Sequence, residues 1–214
     1  MCGRYGFSVT DIKQVYKRFE VVNELTDFKP RYNIAPGQMN PVITKQSPNK
    51  IQRMFWGLIP SWAKDKSISF HTINARAEDI DKKPTFKKPL LCQRCLIPAT
   101  GFYEWKKTVS PSIPYYFQLK DKLLFAFAGV YDLWEDPDFG QELYSYTIIT
   151  TAANKIVALI HPRMPAILQK EDEEQWLNPD IDKPEKLLPL LQPYPADNMA
   201  SYMVSRNVNN ISLD

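Results

Sequence analysis

RCLIPATGFYEWKK (residues 94–107), IPYYFQLK (113–120), KLLFAFAGVYDLW (122–134) and LYSYTIITT (143–151) follow one another at short intervals, separated by Pro, Gly or Asp. β-Branched and aromatic side chains crowd each run, the composition that suits a pleated, half-buried surface. Such close spacing favours antiparallel sheets over βαβ units.

Upstream of this block the pattern changes period. In DIKQVYKRF (11–19), Ile12, Val15, Tyr16 and Phe19 fall at i, i+3, i+4 and i+7, which predicts a short amphipathic helix with Thr10 as its N-cap. FKPRYNIAPGQ (28–38) reads as a shaped loop around Tyr32 and Asn33, and MNPVITK (39–45) as a short strand. QRMFWGLIPSWAK (52–64) reads as a strand from Gln52 to Leu58, broken by Pro60, with Trp56 and Trp62 on either side of the break. The lysine-rich DKKPTFKKPL (81–90) reads as a solvated surface run. Downstream, TAANKIVALIH (151–161) predicts a short helix ended near Pro162. EDEEQWL (171–177) and PEKLLPLLQ (184–192) predict two more, the second interrupted by Pro189; MASYMVSRNVNNISLD (199–214) reads as a last strand and a polar tail. With no repeat, linker or composition break, residues 1–214 are expected to form one domain.

Composition narrows the classes of partner. Of 214 residues, 44% are hydrophobic and 24% charged, an ordinary globular balance. The 27 basic and 24 acidic residues leave a net charge of +3, which permits an anionic partner without arguing for one. Three cysteines and the lack of an apolar leader predict a reducing, cytoplasmic setting, and no apolar run is long enough to imply a membrane span. Eighteen prolines against seven glycines favour rigid loops and short elements.

Conventional catalytic motifs are absent: there is no Gly-rich phosphate loop, H-E-x-x-H or G-x-S-x-G. Only His71 and His161 are available, which excludes a histidine-rich metal site, and the lone Cys92-x2-Cys95 pair reads as packing at a strand edge. Neither a metal nor a cofactor is expected. The opening MCGRY is more informative. If Met1 is removed, Cys2 carries a thiol and an α-amine two carbons apart, both nucleophilic near neutrality. The amine of such an aminothiol condenses with an aldehyde, and the sulfur then closes a five-membered ring. Other polar residues stand inside apolar segments. Glu104, between Tyr103 and Trp105, is either an exposed strand-end carboxylate or a partly buried one raised toward a useful pKa. Asn74, in INAR, either fixes a substrate group or caps a turn. His161 precedes a proline, and Arg4, Arg76, Arg163 and Arg206 stand in tight motifs suited to bidentate phosphate contact.

Taken together, MCGRY, RYNIAPGQ, FWGLIPSW, NARAE, RCLIPATGFYEW, FAFAGVYDLW, YTIITT, HPRMP and VSRNVNN resemble the SOS response-associated peptidase (SRAP) family, which processes abasic sites in single-stranded DNA. The resemblance covers nearly the whole chain in the family's order. It implies an α+β, mostly β fold of curved antiparallel sheets in a barrel-like arrangement with peripheral short helices. It implies that Cys2 captures the ring-opened abasic sugar as a thiazolidine, a DNA–protein crosslink that protects the lesion, in competition with strand cleavage by β-elimination. Asn74 would orient the sugar or amine, Glu104 relay protons and His161 help open the sugar. Arg4, Asn33, Arg76 and Arg163 would contact DNA, with Trp62 and Trp105 stacking on it. The implied partner is single-stranded DNA containing abasic sites, with replication-associated proteins as further partners of a monomer. Two other readings stay open: an amide hydrolase with Cys2 as N-terminal nucleophile, and a non-covalent single-strand binder.

Overall fold

The described residues form twelve strands and four short helices. They are β1 (Tyr5–Phe7), α1 (Ile12–Phe19), β2 (Arg31–Ile34), β3 (Met39–Thr44), β4 (Ser47–Trp56), β5 (Asn74–Arg76), α2 (Pro84–Cys92), β6 (Arg94–Ala99), β7 (Gly101–Lys106), β8 (Ile113–Leu119), β9 (Phe125–Glu135), β10 (Glu142–Ala152), β11 (Arg163–Pro165), α3 (Lys170–Leu177), α4 (Pro184–Leu187) and β12 (Met199–Met203). The computed structural model describes residues 2–109 and 111–213. Among them, no helix is long and apolar enough to cross a membrane.

Five strands close on themselves in the order β10-β4-β3-β6-β9, because β9 pairs with β10 as well as with β6. Closure satisfies every ladder and removes the exposed edges an open sheet would carry. All six residues of β6 are buried, as a strand with neighbours on both sides inside a core requires. Gly129 makes the closure possible: a Cβ there would lie 2.7 Å from the Thr147 carbonyl oxygen and 2.3 Å from Ile97 Cδ1. The remaining sheet, β12-β8-β7-β1-β2, packs against this barrel. Tyr5 is the pin between them. Its ring meets Trp56 of β4 at 5.2 Å and Phe127 of β9 at 5.7 Å, and its hydroxyl lies 3.0 Å from that of Tyr146 on β10. These edge-on aromatic contacts are buried, so the start of the chain is held at the barrel.

The mostly antiparallel architecture with peripheral helices matches the sequence reading. Two pairings differ. β10 runs parallel to β4 at Ser145–Tyr146 and parallel to β5 at Ile148–Thr150. An eleven-residue strand can exchange partners along its length, and β10 does so where the barrel ends and the site begins.

Local corrections have local causes. Asp11, not Thr10, caps α1, its carboxylate accepting from the Lys13 amide at 3.0 Å. The lysine-rich run contains α2, started by Pro84 and anchored by buried Phe86 and Leu90. In 151–161, Thr151 and Ala152 extend β10, and only a 3-10 turn follows at Val157–Leu159. There the Asn154 side chain accepts from the Val157 amide at 3.0 Å, capping a turn too short to become a helix. Cys95 is buried in doubly paired β6 rather than at a strand edge, and Cys92 ends α2.

Arg94 is fully buried and donates to the carbonyls of Leu90, Leu91, Trp176 and Asn178, satisfying the C-terminal ends of α2 and α3. Arg94→Met keeps the volume but orphans four acceptors, and is expected to lower unfolding free energy by about 2–3 kcal/mol in urea titration. An unchanged midpoint would mean water replaces the guanidinium at no cost.

Candidate active site

β1 and β5 deliver the first two groups. Three residues before Tyr5, the chain turns Cys2 inward, where it is fully buried. Its Sγ lies 3.6 Å from the Arg4 carbonyl oxygen, and the Asn74 Nδ2 donates to the Cys2 carbonyl at 2.9 Å. β5 is held by β10, with Asn74 opposite Ile148. Its approach depends on Gly57, whose φ of 127° lets the chain leave β4 beside Ser69. The other end of the Asn74 amide, Oδ1, is buried and has no hydrogen-bond partner among the described residues. It is an acceptor held ready next to Cys2, at a cost a purely structural asparagine would avoid.

β7 brings the acid. Tyr103 and Glu104 point to opposite faces, as strand alternation demands, and Glu104 is 3% exposed. Burial raises its carboxyl to about 7, although the Trp105 backbone amide pulls the other way. Both protonation states are therefore populated near neutrality. The same burial, with the nearby Glu104 charge, pushes the Cys2 thiol well above its ordinary value. The sulfur thus rests as S–H beside a group able to take its proton.

His161 Nδ1 stands 3.7 Å from Glu104 Oε1. It is also 3.0 Å from the Arg163 carbonyl oxygen and 3.1 Å from the Arg163 amide, contacts that belong to its two tautomers. Desolvation lowers its pKa, so the ring is held neutral and can pass a proton either way. Two arginines flank this end of β10. Arg76 is exposed on β5, two residues from Asn74 and on the same face, opposite Thr150. Arg163 on β11 grips the Glu78 carboxylate at 2.5 and 2.9 Å and the Thr150 carbonyl at 2.6 Å. The hydrogen bonds from Arg163 hold Glu78 below the usual carboxylate range.

A buried cysteine near the chain's start, an asparagine on its carbonyl and a carboxyl raised to neutrality form a compact chemical set. The family model described as SOS response associated peptidase (SRAP) matches residues 1–211. The chain belongs to the SRAP family. Among similar proteins, the abasic site processing protein YoqW of Bacillus subtilis is 45% identical over 214 residues, covering 98% of this chain and 95% of that protein. The abasic site processing protein HMCES of Gallus gallus is 34% identical over 219 residues, covering 87% of this chain and 65% of that protein. A crystal structure of a protein from Bacteroides thetaiotaomicron superposes with a TM-score of 0.90 at 35% identity, covering 96% of this chain and 93% of that one.

Within this SRAP chain the residues expected at the site fall into two groups. Cys2, Asn74, Glu104, His161 and Arg163 converge, with Arg76 at their edge. Arg4, Asn33 and Trp105 form a second cluster, joined to one another and to the C-terminal segment. Trp62 is 61% exposed on the turn after Pro60. Met1 lies outside the described residues. Sequence reasoning missed Thr150 and Glu78 as partners of Arg163. It also missed exposed Phe70, on the 3-10 turn Lys66–His71 that leads into β5. Their motifs, YTIITT and NARAE, were visible, but nothing in either says which side chain an arginine will grip.

Proposed function

We propose that this SRAP protein captures abasic sites in single-stranded DNA through Cys2 as the mature N-terminal residue. One observation carries the reading: a buried thiol stands beside a carboxyl raised to about 7, on a chain similar throughout its length to abasic site processing proteins. The α-amine adds to the C1′ aldehyde of the opened sugar, and loss of one water gives the imine. The Cys2 S–H proton passes to Glu104 as the S–C bond forms at that carbon, and the ring nitrogen takes up a proton, leaving a thiazolidine. In this reading the orphaned Asn74 Oδ1 accepts from the amine, and neutral His161 assists opening of the cyclic sugar. Arg76, with Arg163 behind it, suits the flanking phosphates, and exposed Trp62 suits a base. A cytoplasmic monomer acting where replication exposes single strands fits this chemistry.

The word peptidase in the family's description motivates a second reading, amide hydrolysis or self-removal of residue 1. The Asn74 Nδ2, the natural oxyanion donor for such a reaction, is already spent on the Cys2 carbonyl, which favours aldehyde capture. The deciding experiment mixes the protein with a single-stranded oligonucleotide carrying one abasic site. A species surviving heat and denaturant without reductant, with the mass of both components less one water, is expected. Cys2-dependent proteolysis without such an adduct would establish the second reading.

A further inference from the structure

The C-terminal segment ends on the residues that frame Cys2 and Glu104. It leaves β12 through a hydrogen bond from the Val204 amide to the Pro114 carbonyl at 3.0 Å. It is then shaped by Ser205, whose Oγ accepts from the Asn207 amide at 3.2 Å. Three acceptors on this segment meet three donors below it. The Val208 carbonyl accepts from Arg4 Nη1 at 2.7 Å and from Asn33 Nδ2 at 3.0 Å. The Asn210 carbonyl accepts from Asn33 Nδ2 at 3.1 Å, and Asn209 Oδ1 from Trp105 Nε1 at 2.8 Å. Beneath the segment the donors are joined as well, Arg4 Nη1 donating to Asn33 Oδ1 at 2.8 Å and its guanidinium lying 5.8 Å from the Trp105 ring centroid.

Two of the clamped side chains, Arg4 and Trp105, lie close along the chain to Cys2 and Glu104. The Arg4 carbonyl accepts from the Tyr103 amide at 2.9 Å and lies 3.6 Å from the Cys2 sulfur. Trp105 directly follows Glu104 on β7. Strand alternation puts Trp105 on the face of β7 opposite Glu104, and Arg4 directly precedes β1, so the segment grips β7 and the entry to β1 from the side away from Glu104. We propose that Asn209 and the Val208 carbonyl are positioning groups: a strap that fixes β1 against β7 and so holds the Cys2 thiol and amine at a set distance from Glu104. The proposal rests on the crosslinking function above. In such a site a loosened strand costs rate at saturation, whereas contacts to undamaged DNA lie elsewhere, on Arg76 and Trp62.

The test compares full-length Asn209→Ala and Asn209→Asp with the parent chain. Asn209→Ala removes the acceptor facing the Trp105 indole; Asn209→Asp keeps one. Asn209 is exposed, so both variants should fold, checked by thermal unfolding. The strap predicts that Asn209→Ala lowers the rate of adduct formation at saturating DNA about tenfold, leaves the Kd for undamaged single strands unchanged, and speeds iodoacetamide alkylation of Cys2. Asn209→Asp should restore both rates. Equal rates in all three proteins would overturn the proposal. Faster crosslinking or tighter binding by Asn209→Ala would also overturn it, because the segment would then be competing with DNA for Arg4. Should the parent chain form no adduct at all, the crosslinking function fails, while the alkylation comparison still decides the strap.

Discussion

Cys2→Ala is expected to abolish the heat-stable adduct with abasic single-stranded DNA while leaving a transient, reducible imine. The distinction follows from which group does what. The α-amine survives the substitution, so C1′ can still be attacked and water still lost. What disappears is the sulfur that closes the ring, and an open imine is exposed to hydrolysis and to β-elimination. Borohydride should trap the imine in the variant, and without borohydride the variant should nick the oligonucleotide faster than the parent does. Cys2→Ser should resemble alanine more than cysteine, since its hydroxyl closes a weaker oxygen-containing ring. Because Cys2 is fully buried against Asn74, the substitution also removes packing, and unfolding midpoints must be compared first. A stable adduct formed by folded Cys2→Ala would show that another nucleophile carries the chemistry. The remaining cysteines are poor candidates: burial raises the thiol of Cys95 well above its ordinary value, and Cys92 sits away at the end of α2.

Much of this arrangement is legible in the sequence. Strands β6 to β10 are legible because their aromatic and β-branched runs suit a pleated, half-buried surface. Glu104 and Asn74 stand out in the sequence as polar side chains inside apolar runs, which leaves exposure and burial both open, and the structure buries both. What could not be read is what depends on contacts between distant segments. The helix α2 carries Pro89 in its interior, which argues against it, and it stands because Phe86 and Leu90 are buried against the barrel. Arg94 gives no sign in sequence of being the most polar fully buried residue, since its partners lie at Leu90, Leu91, Trp176 and Asn178. Barrel closure rests on β10 pairing with β4 on one side and with β9 on the other, a long-range match with no local signature. Arg4 and Trp105 look like DNA contacts until the C-terminal segment, 204 residues beyond the one and 104 beyond the other, is seen lying across them.

Glu104→Gln should slow adduct formation by roughly 10²–10⁴-fold, the range for loss of a general acid–base group, and should at the same time make the protein more stable above neutral pH. The second effect has a definite sign. Burial lifts the Glu104 carboxyl from 4.5 to about 7 in the folded chain. Between those values the folded state binds a proton that the unfolded state has released, so stability falls as pH rises through this window. The penalty is absent below about 4.5, complete above about 7, and on the order of 3 kcal/mol at most. Glutamine has the same shape and no charge to bury. Its unfolding free energy should therefore exceed that of the parent by about 2–3 kcal/mol at pH 8, with the advantage gone at pH 4–5. Urea titrations at the two pH values measure this directly. A second readout separates loss of proton transfer from damage to the nucleophile. The Glu104 charge helps to raise the Cys2 thiol, so removing it should make Cys2 easier to ionise and quicker to alkylate with iodoacetamide. A variant whose cysteine alkylates faster yet crosslinks far more slowly has lost the proton carrier and nothing else. Rates lowered only a few-fold, with unchanged stability at pH 8, would mean that Glu104 keeps an ordinary pKa and that His161 must move the protons alone.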